Sequence, residues 1–562
     1  MPGRPFTILL LVAGLLAPAT AVAAPPALER GVVAAPESLA AEAGAAVLRD
    51  GGNAVDAAVA VQFALAVTFP RAGNIGGGGF MLVHTDSGDV SLDYRETAPA
   101  AATRDMYLDS TGAIVPGRSL DTHRAAGVPG TVAGMWLAHR RFGSLPWARL
   151  LEPAVRLAER GFVLPPRTAA DFAGEGRNNF RDYFRGAAGD TLRQPELAAT
   201  LRRIAEHGAD GFYRGETARL IVEEMQRGGG LVALEDLAGY RAVWRPPVTG
   251  TYRGSRVVSM GPPSSGGVGL IELLNLFERL EPQGHARGDE ALLPLAPLHM
   301  HLVAELEKRV FADRTEYLGD PDFVNVPVDS LISRTYAARR AASIARDRRT
   351  PPEAVRPGLA GHESEQTTHF SVVDRRGNAV ANTTTLNDYH GSGVVVRGAG
   401  FLLNNEMDDF SARPGAPNLY GVIGGAANAI APGKRMLSSM CPTFVYQGDD
   451  LWLVLGTPGG PTIFTTVFQV VVNRVDFRLP LAGAVAAPRF HHQWPPRRPG
   501  VDPIDVEPGR EPAPGTRATL ESLGYTVSVR KTPLGDVQAV EIAGGRALGV
   551  SDPRGIGHVA AE

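Results

Sequence analysis

Apolar spacing along this chain changes period in ways that separate helices from strands. Residues 38–50 are Ala-rich with helical spacing and stop at Gly51-Gly52. Asn53 then caps a second helix running to about Phe69, just before Pro70. Both helices read as core. Residues 80–84 and 90–94 are strand-like and flank Asp86-Ser87-Gly88-Asp89, which predicts a hairpin delivering Arg95 at its far end. Gly76 to Gly79 lack the Gly-Lys-Ser/Thr ending of a phosphate loop, so their expected use is close backbone approach, not nucleotide binding. Helical patterns dominate residues 130–160, 195–227 and 298–317. Residues 346–366 carry charge and proline with no apolar periodicity, and read as the tail of a first, larger unit. Short strands are expected near residues 525–529 and 537–542, and no repeat of solenoid period is present.

The most informative pattern begins at Thr367-Thr368. Two runs rich in β-branched residues, 368–373 and 379–386, flank the turn signal Arg375-Arg376-Gly377 and predict a hairpin. With Gly377 at the positive-φ position of a three-residue loop, Asp374 pairs with Asn378 and Thr367 lies opposite Thr385. Asn387, two residues on, shares the Thr385 face. A threonine hydroxyl needs an adjacent base to act as a nucleophile, and its own α-amine can serve if the chain is cut between Gln366 and Thr367. Such an amine has a pKa of roughly 7.7–8.0 and accepts a proton near neutral pH. The local sequence is equally that of a Thr-rich hairpin with solvated hydroxyls.

Further segments settle the matter by resemblance. TTHFSVVDRRGNAVANTTTLN from Thr367, FLLNNEMDDFSARPG, KRMLSSMCPTF and GTPGG are similar to the small subunit of the γ-glutamyltransferases (γ-glutamyltranspeptidases, glutathione hydrolases). Upstream, LDYRETAP, GVPGTVAG and GPPSSGG resemble large-subunit segments of that family in the same order. The resemblance covers nearly the whole chain after its first residues. It implies an α+β fold, a four-layer αββα Ntn-hydrolase sandwich formed by the large and small chains of one self-cleaved precursor. Residues 25–366 would be the large subunit and 367–562 the small one, paired as a heterodimer.

The resemblance also assigns roles. Thr367 would form a γ-glutamyl ester after autocatalytic cleavage before it, Thr385 would bond the Thr367 hydroxyl, and Gly459 and Gly460 would offer N–H groups to the oxyanion. Arg95, Ser438 and Ser439 would bind the substrate α-carboxylate; Asn387, Glu406 and Asp409 would hold its α-ammonium. Tyr420 would sit in a lid at residues 414–433. The implied donors are glutathione and other γ-glutamyl compounds, and the acceptors are amino acids, dipeptides or water. His390, Met436 and Pro461-Thr462 depart from the family pattern; an aromatic-like packing role is expected for His390. An acylase cutting glutaryl or other amides is the alternative within the fold, and an unprocessed amino-acid- or peptide-binding protein the alternative outside it.

Composition narrows the setting. With 44% hydrophobic and 20% charged residues the chain is globular, and a net charge of −3 gives no electrostatic case for nucleic acid or an anionic membrane. Arg4, an apolar stretch at residues 6–16 and Ala21-Val22-Ala23 before a Pro-Pro pair form the order of a secretory signal peptide over residues 1–24. Export to a periplasm or the exterior is expected, with no membrane attachment after removal. Cys441 is the sole cysteine, so no intrachain disulfide forms, and it reads as a small buried residue. The chemistry requires no cofactor and no metal. His299, His301 and Glu305 on one expected helix lack a His-Glu-x-x-His motif and read as packing residues.

Overall fold

The computed structural model describes residues 28–281, 293–357, 367–413, 425–496 and 500–562. The expected signal segment, Gln366 and Tyr420 lie outside these residues. Two antiparallel sheets stack face to face. The first has seven strands in the spatial order His558–Ala561, Val32–Ala35, Thr368–Val373, Ala379–Thr385, Gly78–Thr85, Gly88–Asp93 and Val243–Arg245. The second has six: Arg546–Ser551, Gln538–Ala543, Asp450–Gly456, Thr443–Gln447, Ser255–Ser259 and Val248–Tyr252.

Period-2 alternation sorts the side chains into layers. Val32, Ala34, Val373, Ala379 and Ala381 of the first sheet meet Phe444, Val454 and Val540 of the second between the sheets. The next residues along the same strands, Val33, Ala35, Phe370, Val372 and Val380, point the other way and pack on helices Ser38–Arg49 and Ala54–Thr68. The far side of the second sheet, including Val257, Val445, Leu453 and Leu455, is covered by helices Gly266–Leu280, Pro297–Tyr317 and Thr462–Val475. The order is helix, sheet, sheet, helix, as the resemblance implied. No helix among the described residues is long and apolar enough to cross a membrane.

Both early helices form where the spacing places them. Ala54–Thr68 is buried along its whole length, so it has no polar face, and the Asn53–Asp56 capping box satisfies its first amides. Two longer helical patterns are broken. Residues 130–160 form Thr131–Phe142 and Trp147–Arg160, separated at Gly143; residues 195–227 form Pro195–His207, Asp210–Tyr213 and Gly215–Gly228, interrupted where Gly208 takes a φ of +61°. Glycine and proline punctuate a continuous apolar periodicity that spacing alone cannot divide.

The hairpin after residue 367 has the expected register. Asp374 N–H donates to Asn378 O at 3.0 Å, Gly377 has a φ of +85°, and the ladder runs from Ala379 opposite Val373 to Thr384 opposite Thr368. Thr367, His369 and Ser371 therefore face the second sheet, whereas Asn382 and Thr384 face the helices, where Gln62 bonds Asn382 at 3.2 Å. The Gly76–Gly79 run brings two backbones together: a Cβ on Gly76 would lie 2.1 Å from Leu402 O, and one on Gly77 would lie 2.0 Å from Thr385 O.

The remaining histidine and cysteine candidates are structural. His301 bonds Tyr525 Oη at 3.0 Å and Ala345 O at 2.8 Å, His299 packs edge-to-face against Phe277, and Glu305 pairs with Lys308 and Arg309. Cys441 is buried, which pushes its thiol up to about 11.

Because the obstacle at Gly77 is the carbonyl of the return strand itself, Gly77→Ala should destabilise the protein by about 3 kcal/mol. Urea unfolding checks this; a midpoint equal to wild type would refute the close-approach role.

Candidate active site

Thr367 stands at the head of the strand Thr368–Val373, facing the space between the sheets and 6% exposed. Its Oγ1 has no hydrogen-bond partner, so the expected bond from Thr385 is not made. Thr385 Oγ1 accepts the Asn387 N–H at 2.7 Å.

Gly459 and Gly460 follow the inner strand Asp450–Gly456 and have φ values of +133° and +59°. Both values favour glycine. Gly459 O accepts the Thr462 N–H at 3.1 Å and the Thr462 hydroxyl at 2.7 Å, so Thr462 clamps the turn. Pro461 caps the helix Thr462–Val475, whose N-terminus therefore begins at the turn. Aligned peptide dipoles make such a terminus favourable for negative charge. Gly459 and Thr367 line one cleft of about 140 Å³; Gly460 is not among its lining residues.

Arg95 is 1% exposed and bonded on all sides. It donates to Met436 O at 3.2 Å and Leu437 O at 3.1 Å, pairs with Glu406 at 2.6 Å, and also pairs with Asp409. Glu96 lies 3.8 Å away and is fully buried. Burial works against the guanidinium charge, but Glu406, Asp409 and Glu96 outweigh it and hold its pKa above the ordinary value. Three acids thus share one arginine. Burial, with Glu406 adding to it, pushes Glu96 well above the carboxylate range; burial likewise raises Asp409 and Glu406, with Arg95 opposing. Neither oxygen of Glu96 has a hydrogen-bond partner. The cluster has an excess of acid that an ammonium group would balance.

Asn387 joins this cluster to the nucleophile hairpin. It adopts a φ of +74°, and its Nδ2 donates to Asn405 O at 2.9 Å. Ser438 Oγ accepts the Met440 N–H at 3.2 Å, and Ser439 Oγ accepts from Arg314 at 2.8 Å. Both serines follow the carbonyls that hold Arg95. The Gly261–Gly267 segment docks here, with Ser265 N–H donating to Ser438 O at 2.6 Å.

Sequence reasoning missed three organisers. Asn404 bonds Gly76 O, Gly127 O and Gly127 N–H, tying two glycine segments to the acidic turn. Arg314 and Glu96 supply a buried cation and acid that resemble ordinary helix and strand charges in sequence; only the nearness of Glu96 to Arg95 could have flagged it. The departures have places too. His390 packs 4.6 Å from the Phe180 ring, as expected of an aromatic substitute, and Met436 lies in an apolar cluster with Tyr107 and Phe410. His369, two residues from Thr367, is held neutral by burial, which lowers it to about 3.

The layered fold and a threonine at a strand head between the sheets define an Ntn hydrolase. Residues 40–562 match the family model described as gamma-glutamyltranspeptidase. The glutathione hydrolase proenzyme of Pseudomonas aeruginosa is 50% identical over 536 residues, spanning 94% of each chain. The crystal structure of cephalosporin acylase from Bacillus halodurans aligns with a TM-score of 0.81 at 28% identity, covering 98% of this chain and 99% of that one. A chain of the γ-glutamyltranspeptidase from Pseudomonas nitroreducens is 46% identical, with a TM-score of 0.55; 99% of it matches 59% of this chain. The chain belongs to the γ-glutamyltranspeptidase family and is an enzyme of that family.

Glu96 keeps its proton to higher pH in the folded chain than in the unfolded one. From its ordinary value of 4.5 up to its raised pKa, the unfolded chain ionises first, so wild-type stability falls relative to Glu96→Gln as pH rises. The slope is about 1.4 kcal/mol per pH unit. Urea midpoints of both proteins at pH 5 and pH 8 check this; a wild type that holds its position or gains on Glu96→Gln between those pH values would refute a buried, protonated Glu96.

Proposed function

We propose that this chain is the precursor of an exported, periplasmic or secreted enzyme that hydrolyses glutathione and other γ-glutamyl compounds and transfers their γ-glutamyl group to amino acids or dipeptides. Self-cleavage between Gln366 and Thr367 would give the subunits 25–366 and 367–562. The observation that carries this reading is the assembly of Arg95, Glu406 and Asp409 behind a strand-head threonine that faces the Gly459 turn. Support for processing comes from the proenzyme name of the Pseudomonas aeruginosa relative. The Pseudomonas nitroreducens chain adds to it, because nearly all of that chain matches a share of this one close to residues 25–366.

The chemistry runs twice through one oxygen. Thr367 Oγ1 attacks the Gln366 carbonyl, the acyl group shifts from nitrogen to oxygen and so frees the α-amine, and water hydrolyses the ester to release the Gln366 carboxylate and restore the Thr367 hydroxyl. That amine then takes the hydroxyl proton as Oγ1 attacks a γ-glutamyl carbonyl. The oxyanion is met by Gly459 and Gly460 N–H groups at a helix N-terminus; one such donor is worth about 2.7–4 kcal/mol in the transition state. The leaving amine departs with a proton, and water or a second amine resolves the ester. Substrate binding would exchange partners within the acid cluster, the α-carboxylate going to Arg95 and the α-ammonium to Glu406 and Asp409.

The acylase likeness sustains a second reading, cleavage of a glutaryl amide. A glutaryl group has no ammonium, so it would leave the excess acid of the cluster unbalanced. Incubation with glutathione and glycylglycine, followed by mass spectrometry, should give glutamate and γ-glutamyl-glycylglycine with wild type. Thr367→Ala should remain a single chain and form neither. A cleaved or active Thr367→Ala protein would overturn the assignment, and activity on glutaryl but not γ-glutamyl amides would favour the acylase.

A further inference from the structure

Arg95 sits between two arms of the chain. One is the acidic turn, where Asp409 pairs with the guanidinium; the other is the segment at residues 436–437, whose carbonyls accept from it at 3.2 and 3.1 Å. The second arm is also paired with the stretch that follows Arg95, Ala98 N–H donating to Lys434 O at 2.8 Å. Asn428 reaches both arms as well. Its Nδ2 donates to Asp409 O at 2.6 Å, and its Oδ1 accepts the Leu437 N–H at 3.1 Å. Asp409 and Leu437 thus each make one bond to Arg95 and one to Asn428.

The amide of Asn428 is buried, and its own turn is held in place. Asn428 O accepts the Ser411 N–H at 2.9 Å, which stitches the single turn Ala426–Asn428 to the end of the acidic turn. The buried Lys434 ammonium donates to Ala427 O at 2.6 Å and Ala429 O at 3.1 Å, the carbonyls on either side of Asn428. A planar amide carries its donor and its acceptor on different atoms, so once the turn is fixed each can serve a different arm.

We propose that Asn428 is a positioning residue for the donor's α-amino acid head: it holds the ammonium-binding Asp409 at a fixed separation from the arm that leads from Leu437 to Ser438 and Ser439. This rests on the γ-glutamyl reading above. In the structure Arg95 and Asn428 both span the arms. When a substrate α-carboxylate takes the Arg95 donors, the guanidinium exchanges its bonds to the acids, and Asn428 is the tie that does not depend on it. An α-amino acid carries carboxylate and ammonium on one carbon, so both ends are bound well only if their receptors are correctly spaced, and a misplacement of about 1 Å weakens the pair. The reacting γ-carbonyl lies at the other end of the donor, beside Thr367, so loss of the clasp weakens binding more than it slows the chemical step.

The test measures p-nitroaniline release from γ-glutamyl-p-nitroanilide and its competitive inhibition by L-glutamate, which presents the same α-carboxylate and α-ammonium. Asn428→Ala should still be cleaved before Thr367, raise the donor KM and the glutamate Ki roughly tenfold each, and change kcat by less than about threefold. Lys434→Met, which loosens the turn but keeps the amide, should raise both constants by a smaller factor. A residue that only stabilised the fold would lower the amount of active protein, and so kcat, with KM and Ki unchanged; that result, or wild-type kinetics throughout, would overturn the positioning role. If Asn428→Ala alone is not cleaved, Lys434→Met decides, raised KM and Ki supporting the clasp and wild-type values overturning it. Absence of cleaved chains in both variants would overturn it too, by assigning these residues to folding. No p-nitroaniline release by wild type would refute the γ-glutamyl reading and the clasp with it, whereas release by wild type and Asn428→Ala with equal KM and Ki would sink the clasp alone.

Discussion

One buried guanidinium organises the site. Arg95 arrives at the end of the Gly88–Asp93 strand and is met by carboxyls from residues 406 and 409 and carbonyls from residues 436 and 437, so it joins parts of the chain that are hundreds of residues apart. Removing a charge from water is expensive and is tolerated only where partners surround it. Its partners over-supply negative charge, and the surplus is stored as protons on buried acids. Next to Glu406, the Asn405 carbonyl accepts from Asn387 Nδ2, and the Asn387 N–H donates to Thr385 Oγ1 on the hairpin that begins at Thr367. The acidic turn and that hairpin are therefore one hydrogen-bonded unit.

The two sheets give that unit its setting. Between them the nucleophile strand offers Thr367, His369 and Ser371 in a row, and only the first lies at the strand head beside the glycine turn. His369 is occupied by Thr383 and Ser371 at 2.8 and 3.1 Å and stays neutral, so it contributes packing and hydrogen bonds to the sheet interior. A helix N-terminus behind Gly459 supplies a fixed field without a charged side chain.

What could be read from sequence divides along the range of the interactions. The hairpin register followed from a three-residue loop and one glycine, and the Asn53 cap from four adjacent residues, because local geometry decides both. The order of the four layers came only with the family resemblance, since periodicity says which face is apolar and not what covers it. Register fixes the neighbour of Thr385 across the hairpin but not where its hydroxyl points. Arg314 and Asn404 were invisible because each is commonplace until the fold brings it to its partners. The Pro461-Thr462 departure acquires meaning only as a helix cap and a clamp on Gly459.

The first sheet also constrains how the molecule is made. Val32–Ala35 lies between the nucleophile strand on one side and His558–Ala561 on the other, and Glu562 closes the edge through two bonds of 3.0 Å with Gly31. The strand that supports Thr367 thus has, as its immediate scaffold, both extremities of the described chain. The sheet cannot close around this strand until residues 558–561 reach residues 32–35, so its completion waits on a contact of very long sequence separation, and loss of that distant strand would strip the support from the strand next to Thr367.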